Sequence, residues 1–509
     1  MQNGKALKYR AQFMMLFILV FVGQARTQDI VNKAFYYYSE EASAFVIGTT
    51  ENSELRVFAE YELPSSCFDY DSCNVYGPGF SPSKKWFSWM FDNNAARPSV
   101  DAQAHVVNVN TGRQQILLDG DGGIRHLSWS PTDDLLLVER FNFAAGNTTY
   151  FVWDINTTRE LFTYPEKVIV EWTPDGRLVT YLPLSDDGPP QIIITDTFGE
   201  VFMKHSVSGL WEQSQSYACK PFWSPTGHLM FVNESAQLTV AYSAHRQEFS
   251  LRFQDTYLIR VEWSADNNYA LIFSSDQCAP ITSSTVTNLW LLSYPNQELT
   301  FLSDAATPPF HVSLPALQKH SWSPATNDFF YVTTQNNTKK LIVASLPALV
   351  SHDVYADTEI RPEQTEWLHN GQLAFYGLST GGDASIYVFD SQKRMTHQLV
   401  SGKIVNQNFD FSPNEALIVF DNISVCNGIC LFDVEANTHT AFEFLRDPDS
   451  GGSGSVEEFL WHPNGDLLLV TGSRVGSSRQ INVMNVETFT HRALDGWFVL
   501  SPASFGWFD

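Results

Sequence analysis

Residues 127–140 read LSWSPTDDLLLVER. An aromatic residue precedes Ser-Pro, a small polar stretch follows, and then comes a run of leucines. The phrase returns as VEWTPDGRLVTYL (170–182), PFWSPTGHLMFV (221–232), VEWSADNNYALIF (261–273), HSWSPATNDFFYV (320–332), TEWLHNGQLAFYG (365–377), FDFSPNEALIVF (409–420) and FLWHPNGDLLLV (459–470). Pro cannot donate a ladder hydrogen bond, so it ends the strand that carries the aromatic. The units PDG (174–176), HNG (369–371) and PNG (463–465) supply the positive φ angles of a tight hairpin. The apolar run is a second strand, and its near-continuous apolarity implies that sheets cover both of its faces.

A second phrase follows each first one. Examples are YFVWDINTTRELF (150–162), QIIITDTFGEVFM (191–203), SIYVFDSQKRMTHQL (385–399), GICLFDVEANTHTAF (428–442) and INVMNVETFTHRAL (481–494). Each reads as strand, polar turn, strand, so one unit holds two hairpins. With Trp89 (FSWMFDNN) as the weakest match, the key aromatics are Trp89, Trp129, Trp172, Trp223, Trp263, Trp322, Trp367, Phe411 and Trp461. Their intervals of 40, 43, 51, 40, 59, 45, 44 and 50 residues suit four-stranded blades and are too irregular for a solenoid of fixed rungs. Many short strands with turn signals at this spacing predict an all-β propeller.

The pattern aromatic-Ser-Pro-Asp-Gly followed by an apolar strand resembles the propeller repeat of TolB-like and dipeptidyl peptidase IV-type proteins, over nearly the whole chain. WD-type repeats are less similar, because the Gly-His start is absent and VWD (152–154) is the one Trp-Asp at a strand end. VLSPASFGWFD (499–509) reads as a further first hairpin, and residues 33–61 read as strands without an opening phrase. Together they predict a closing blade, which would remove free sheet edges. The expectation is one large propeller of about 8–10 four-stranded blades over 26–509, with two smaller propellers as the alternative.

The N-terminus carries Lys5, Lys8 and Arg10, then the apolar run Phe13 to Gly23, then small residues suited to cleavage after Ala25. This layout predicts a signal peptide over 1–25 and a secreted protein. The run falls short of the roughly 20 residues of a spanning helix, so no stable membrane insertion is expected. A net charge of −25, from 56 acidic against 31 basic residues, argues against nucleic acid as a partner. Six cysteines fit an oxidising compartment. Six allow fifteen pairings; the pairs expected here are Cys67–Cys73, Cys426–Cys430 and Cys219–Cys278. Cys219 precedes the first strand of its unit and Cys278 follows the second strand of the next, on the same face of adjacent blades.

The dipeptidyl peptidase resemblance would imply a hydrolase domain, but the propeller phrases run to the last residues and no Gly-x-Ser-x-Gly elbow occurs. There is no His-Glu-x-x-His and no sialidase-type box. His126, His228 and His462 lie in or beside the repeated phrase and read as structural. LLDGDGG (117–123) and CFDYDSC (67–73) hold closely spaced aspartates, but neither has the spacing of a known calcium loop, so no metal or other cofactor is expected. The pattern that stands out is acidic: Glu171, Glu262, Glu366 and Asp410 each directly precede a key aromatic. They read either as a patch near a central channel or as carboxylates satisfied by a neighbouring blade. Sequons occur at Asn147, Asn156, Asn233, Asn336 and Asn422, and all but Asn156 fall between second and third strands. The leading expectation is a secreted, non-enzymatic propeller that binds a protein or a glycan. The rival is an extracellular hydrolase or lyase with its site in the central channel.

Overall fold

The computed structural model describes residues 34–39, 44–51, 54–62, 73–93, 103–118, 123–142, 147–157, 159–164, 168–182, 189–207, 221–242, 247–277, 286–308, 320–336, 338–354, 359–378, 384–401, 409–422, 426, 428–442, 455–462, 465–473, 479–486, 490–493 and 505–507. The fold is all-β. Among the described residues there are eight four-stranded antiparallel sheets and one seven-stranded sheet. In nine of the ten repeats successive strands are nearest neighbours within their sheet, the meander order of propeller blades.

Blade 1 combines three strands of 34–62 with the strand Phe505–Trp507. The latter pairs antiparallel with Ala34–Ser39, Phe35 facing Trp507, as the incomplete repeats at the two ends of the chain predict. Blades 2 to 6 occupy 73–118, 123–164, 169–206, 222–252 and 257–307. Blade 7 occupies 328–353, and its first strand is reduced to a bridge between Trp322 and Phe329. Blades 8 to 10 occupy 359–401, 409–442 and 455–493. Blades 6 and 7 fuse into the seven-stranded sheet because Glu298–Thr307 runs on past its hairpin, pairing Ala306 with Thr333 and Thr307 with Val332. The chain divides into two compact parts, one of 65–411 with 415–444, the other of 1–64, 412–414 and 445–509.

In the larger part, each apolar cluster lies between consecutive blades, and this explains the apolar second strands. Along Tyr269–Ser275, Ala270 and Ile272 pack with Met230, Val232 and Leu238 of blade 5. The alternate residues Leu271 and Phe273 pack with Phe329, Tyr331 and Ile342 of blade 7. The second strand of blade 8 does the same, with Leu373 and Phe375 toward blade 7 and Ala374 and Tyr376 toward blade 9. A strand covered on both faces has no polar side to alternate with. Each such large side chain contributes about 1.5–3 kcal/mol by its removal from water.

The first hairpins share one geometry. The N–H following the key aromatic donates to a carbonyl at or just before the start of the second strand, as in Ser130 to Leu135 (2.9 Å), Thr173 to Arg177 (2.8 Å) and Ser264 to Tyr269 (2.9 Å). Gly176, Gly371 and Gly465 have φ of 80°, 81° and 75°, the left-handed values expected from PDG, HNG and PNG. Each stands four residues after its aromatic, as do Gly227 (90°), Asn267 (55°) and Glu415 (58°). The same register corrects the first repeat. Lys84 (φ 58°) stands four residues after Phe80, and Ser81 N–H donates to the Trp86 carbonyl at 2.9 Å. The key aromatic of blade 2 is therefore Phe80, in GFSPSKKWF (79–87), whereas Trp89 lies fully buried in the second strand.

Candidate functional site

The first strand of each blade ends at the key aromatic, so the residue before it occupies a fixed register. Glu171, Glu262, Glu366 and Asp410 lie opposite Val179, Leu271, Ala374 and Val419 of their second strands. The backbone at this position links blades. The indole N–H of Trp129 donates to the Gly79 carbonyl (3.1 Å), Trp172 to Ser128 (2.9 Å), Trp322 to Glu262 (2.9 Å) and Trp367 to Ser321 (2.7 Å). Each key tryptophan here thus reaches the residue before the key aromatic of the preceding blade. Phenylalanine, which stands at this position as Phe80 and Phe411, would pack similarly but carries no N–H for such a link.

The acidic side chains at this register meet different fates. Glu262 is buried. Its Oε2 accepts the Ser321 N–H at 2.5 Å, and its Oε1 lies 2.6 Å from Arg260 Nε in an ion pair without the alignment of a hydrogen bond. Arg260 is buried as well, so both charges are removed from water together. Glu171 is half-buried and accepts a hydrogen bond from the Tyr181 phenol, which also receives the Trp223 indole N–H at 3.4 Å. Burial, then the Glu171 charge, pushes the Tyr181 phenol well above its ordinary value of 10. Glu366 and Asp410 are half-buried on their own blades. Among the described residues, no three His, Cys, Asp or Glu side chains gather within reach of a metal ion.

Several other buried polar groups have structural partners. Asp255, 4 % exposed, accepts from Ser274 Oγ (2.5 Å), Asn288 Nδ2 (2.7 Å) and Trp290 Nε1 (3.2 Å). His228 bonds the hydroxyls of Ser224 (3.1 Å) and Thr226 (3.0 Å) and stacks on Trp263. Burial lowers its pKa below 6.5. His462 is buried against Asp466 at 3.0 Å, whereas His126 is exposed. Cys426 is disulfide-bonded to Cys430, which lies in the strand Gly428–Asp433, with Cα atoms 5.6 Å apart. Cys67, Cys219 and Cys278, the side chain of Cys73, and the aspartate loops of 67–72 and 119–122 lie outside the described residues.

Strand alternation brings the first and third turns of a blade to one end of its sheet, and hydrogen bonds join them. The N–H of Val109 donates to the Lys85 carbonyl (2.9 Å), Tyr294 to Asn268 (2.8 Å), Val434 to Ala416 (3.0 Å) and Val486 to Asp466 (3.1 Å). In these blades the residue after the third strand is half-buried, as Val109, Tyr294 and Val434 are, or buried, as Val486 is and as Ile155 is in blade 3 at 1 % exposure. Blade 4 departs from the pattern. Its turn Asp196–Glu200 closes through the Asp196 carboxylate, which accepts the N–H groups of Phe198 (2.8 Å) and Glu200 (2.9 Å). Gly199 is left-handed at 86°, one residue earlier than in the sister turns, and Phe198 is 71 % exposed. Val201 is exposed beside it, and the Arg177 guanidinium sits 3.8 Å from the centre of the half-buried Phe202 ring. Phe198 is not among the candidate residues read from the sequence. Its signal was TDTFG (195–199), where the apolar residue falls one place later than in WDIN (153–156) or FDVE (432–435).

No family model matches the chain, and no curated protein matches it. Solved structures are similar to it. A eukaryotic initiation factor shares 14 % identity at a TM-score of 0.48, over 81 % of this chain and 96 % of that one. Dipeptidyl peptidase 4 of Porphyromonas gingivalis shares 11 % at 0.43, over 90 % of this chain and 64 % of that one. TolB of Acinetobacter baumannii shares 11 % at 0.25, over 62 % and 77 %. By its own repeats and sheet order the chain is built of antiparallel meander blades of the β-propeller type.

Proposed function

We propose that this protein is a secreted, non-enzymatic propeller that binds another protein or a glycan through the turn face of its blades. The observation that carries this reading is the engagement of Glu262. The acidic register, the strongest sequence candidate for channel chemistry, is used at that blade to hold a backbone N–H of the next blade and to pair with Arg260 of its own strand. A catalytic carboxylate needs access to substrate, and Glu262 is spent on Arg260 and a backbone N–H. The exposed Phe198 and Val201 are the kind of rigid apolar anchor on which protein contacts centre.

The test is a hydrogen-exchange footprint of the ligand recovered from the extracellular medium, with Phe198→Ser and Val201→Ser as controls. Protection at 196–201, lost in the variants, supports the reading. Protection confined to the loops between second and third strands would overturn the assignment of the face. Turnover of a peptide or polysaccharide substrate, abolished by Glu171→Gln with the fold intact, would transfer the protein to the hydrolase or lyase class.

The same reading carries two further proposals. Cleavage after Ala25 predicts a secreted chain that begins at Arg26 by N-terminal sequencing. One closed ring, in preference to two smaller propellers, draws support from the pairing of Phe35 with Trp507. Small-angle scattering should give one flat particle; two resolved lobes would contradict it.

A further inference from the structure

The five sequons differ as sequence only in their hydroxyl residue, Thr after Asn147, Asn156 and Asn336 and Ser after Asn233 and Asn422, yet the structure assigns them different chemistry. An N-linked sugar replaces one proton of the asparagine Nδ2, so that nitrogen must face solvent in the folded protein. Asn233, between the strands His228–Val232 and Gln237–Tyr242, does not offer it. Its Nδ2 donates to Thr239 Oγ1 at 3.0 Å and reaches Gln237 Oε1 at 3.4 Å. Thr239 is 4 % exposed and passes the contact on to Ser250 Oγ at 2.8 Å. The Oδ1 of Asn233 accepts the N–H groups of Ser235 (2.9 Å) and Gln237 (3.1 Å), and its backbone bonds Gln237 and Ala236. Every polar atom of Asn233 is therefore committed to holding the turn. A sugar there would leave one N–H for two acceptors and press a bulky group against a half-buried side chain.

Asn336 is the opposite case. It is at the tip of a two-residue hairpin between Asp328–Gln335 and Thr338–Ser345, whose ends pair Gln335 with Thr338. Its φ of 52° is the left-handed conformation that asparagine tolerates in such turns. Asn336 and the sequon hydroxyl residue Thr338 are both exposed. Asn156 is likewise exposed, in the turn after the third strand of blade 3, where its own N–H is held by Asp154 Oδ1 at 2.9 Å. The side chains of Asn147 and Asn422 lie outside the described residues.

We propose that Asn336 and Asn156 carry N-linked glycans and that Asn233 is a turn cap that stays unmodified. The proposal rests on the secreted reading, and the experiment separates the two. The full chain is expressed in a glycosylating cell in two forms, one with its own N-terminus and one with residues 1–25 exchanged for a proven cleavable leader. Glycopeptides of the folded product are then mapped. The expected result is occupancy at Asn336 and Asn156 and at least tenfold lower occupancy at Asn233. Comparable sugar on Asn233, or an empty Asn336 in the leader form, overturns the proposal. The expected pattern in the leader form alone supports the sequon assignment and overturns secretion. Variants made without glycosylation give a second readout. Asn233→Gln should lower resistance to urea, whereas Ser235→Ala, which deletes the same sequon but spares the cap, and Asn336→Gln should not. Equal stability of all three would overturn the cap.

Discussion

Glu262 and Glu171 stand at one register in blades 6 and 4, each preceding a tryptophan at the end of a first strand. Glu262 is shut between blades with Arg260 and the Ser321 N–H. Glu171 is half-buried and holds the Tyr181 hydroxyl. The repeat fixes where the carboxylate leaves the backbone. What it meets is set by the second strand and by the following blade, where a Ser-Trp pair in one case and a Phe-Trp pair in the other present different groups. A repeated acidic position is thus a statement about register, and its chemistry has to be read blade by blade.

The largest expected effect breaks the comparison at its buried end. Glu262→Gln removes the carboxylate charge that faces the buried Arg260 guanidinium and should cost about 3–5 kcal/mol in urea unfolding. Glu171→Gln, at a half-exposed site, should cost under about 1 kcal/mol. Equal losses would erase the distinction between the two sites. Next come the indoles. Trp322→Phe removes a 2.9 Å donor to a buried carbonyl and should cost about 1–3 kcal/mol. Trp223→Phe removes only a 3.4 Å contact to a phenol and should cost less.

Two pH effects sharpen the picture further. The Tyr181 phenol is raised in the fold, so its contribution is present below pH 10 and is lost as pH climbs from 10, where the unfolded chain releases its proton first. Glu171→Gln should make that alkaline loss shallower without abolishing it, because burial is the larger cause. Glu262→Gln should leave its slope unchanged. His228 shifts the other way. Its depressed pKa means that stability is lost as pH falls below 6.5, where the unfolded chain takes up a proton that the folded chain refuses. His228→Gln should flatten this acid limb, as followed by urea midpoints between pH 7 and 5.

Much of this architecture was legible because it is local. Gly176, Gly371 and Gly465 announce left-handed turn positions, and the apolar second strands announce cover on both faces. The borrowed strand Phe505–Trp507 could be anticipated from incomplete repeats at the two ends. Phe80 was missed because Lys84 takes the left-handed position without glycine, while the nearby Trp89 imitates the signal. The first strand of blade 7 shrinks to one bridge at Trp322, which no pattern of residue types betrays. For the candidate site, the register of the four acids was legible and their partners were not. Arg260 is two residues from Glu262 and could have been suspected, but the Ser321 N–H arrives from 59 residues away. Phe198 needed the sister turns for comparison, since its exposure follows from a turn that closes one residue early.

The most direct test of the structural role of the acidic register is a double-mutant cycle on Arg260 and Glu262, with Arg260→Met, Glu262→Gln and the pair measured by urea unfolding. If the two side chains neutralise each other between blades, each single variant is strongly destabilised. The double variant then loses far less than the sum, with a coupling of about 1–3 kcal/mol. Losses that add to within about 0.5 kcal/mol would show that Glu262 and Arg260 act independently and would return the carboxylate to the list of candidates for chemistry.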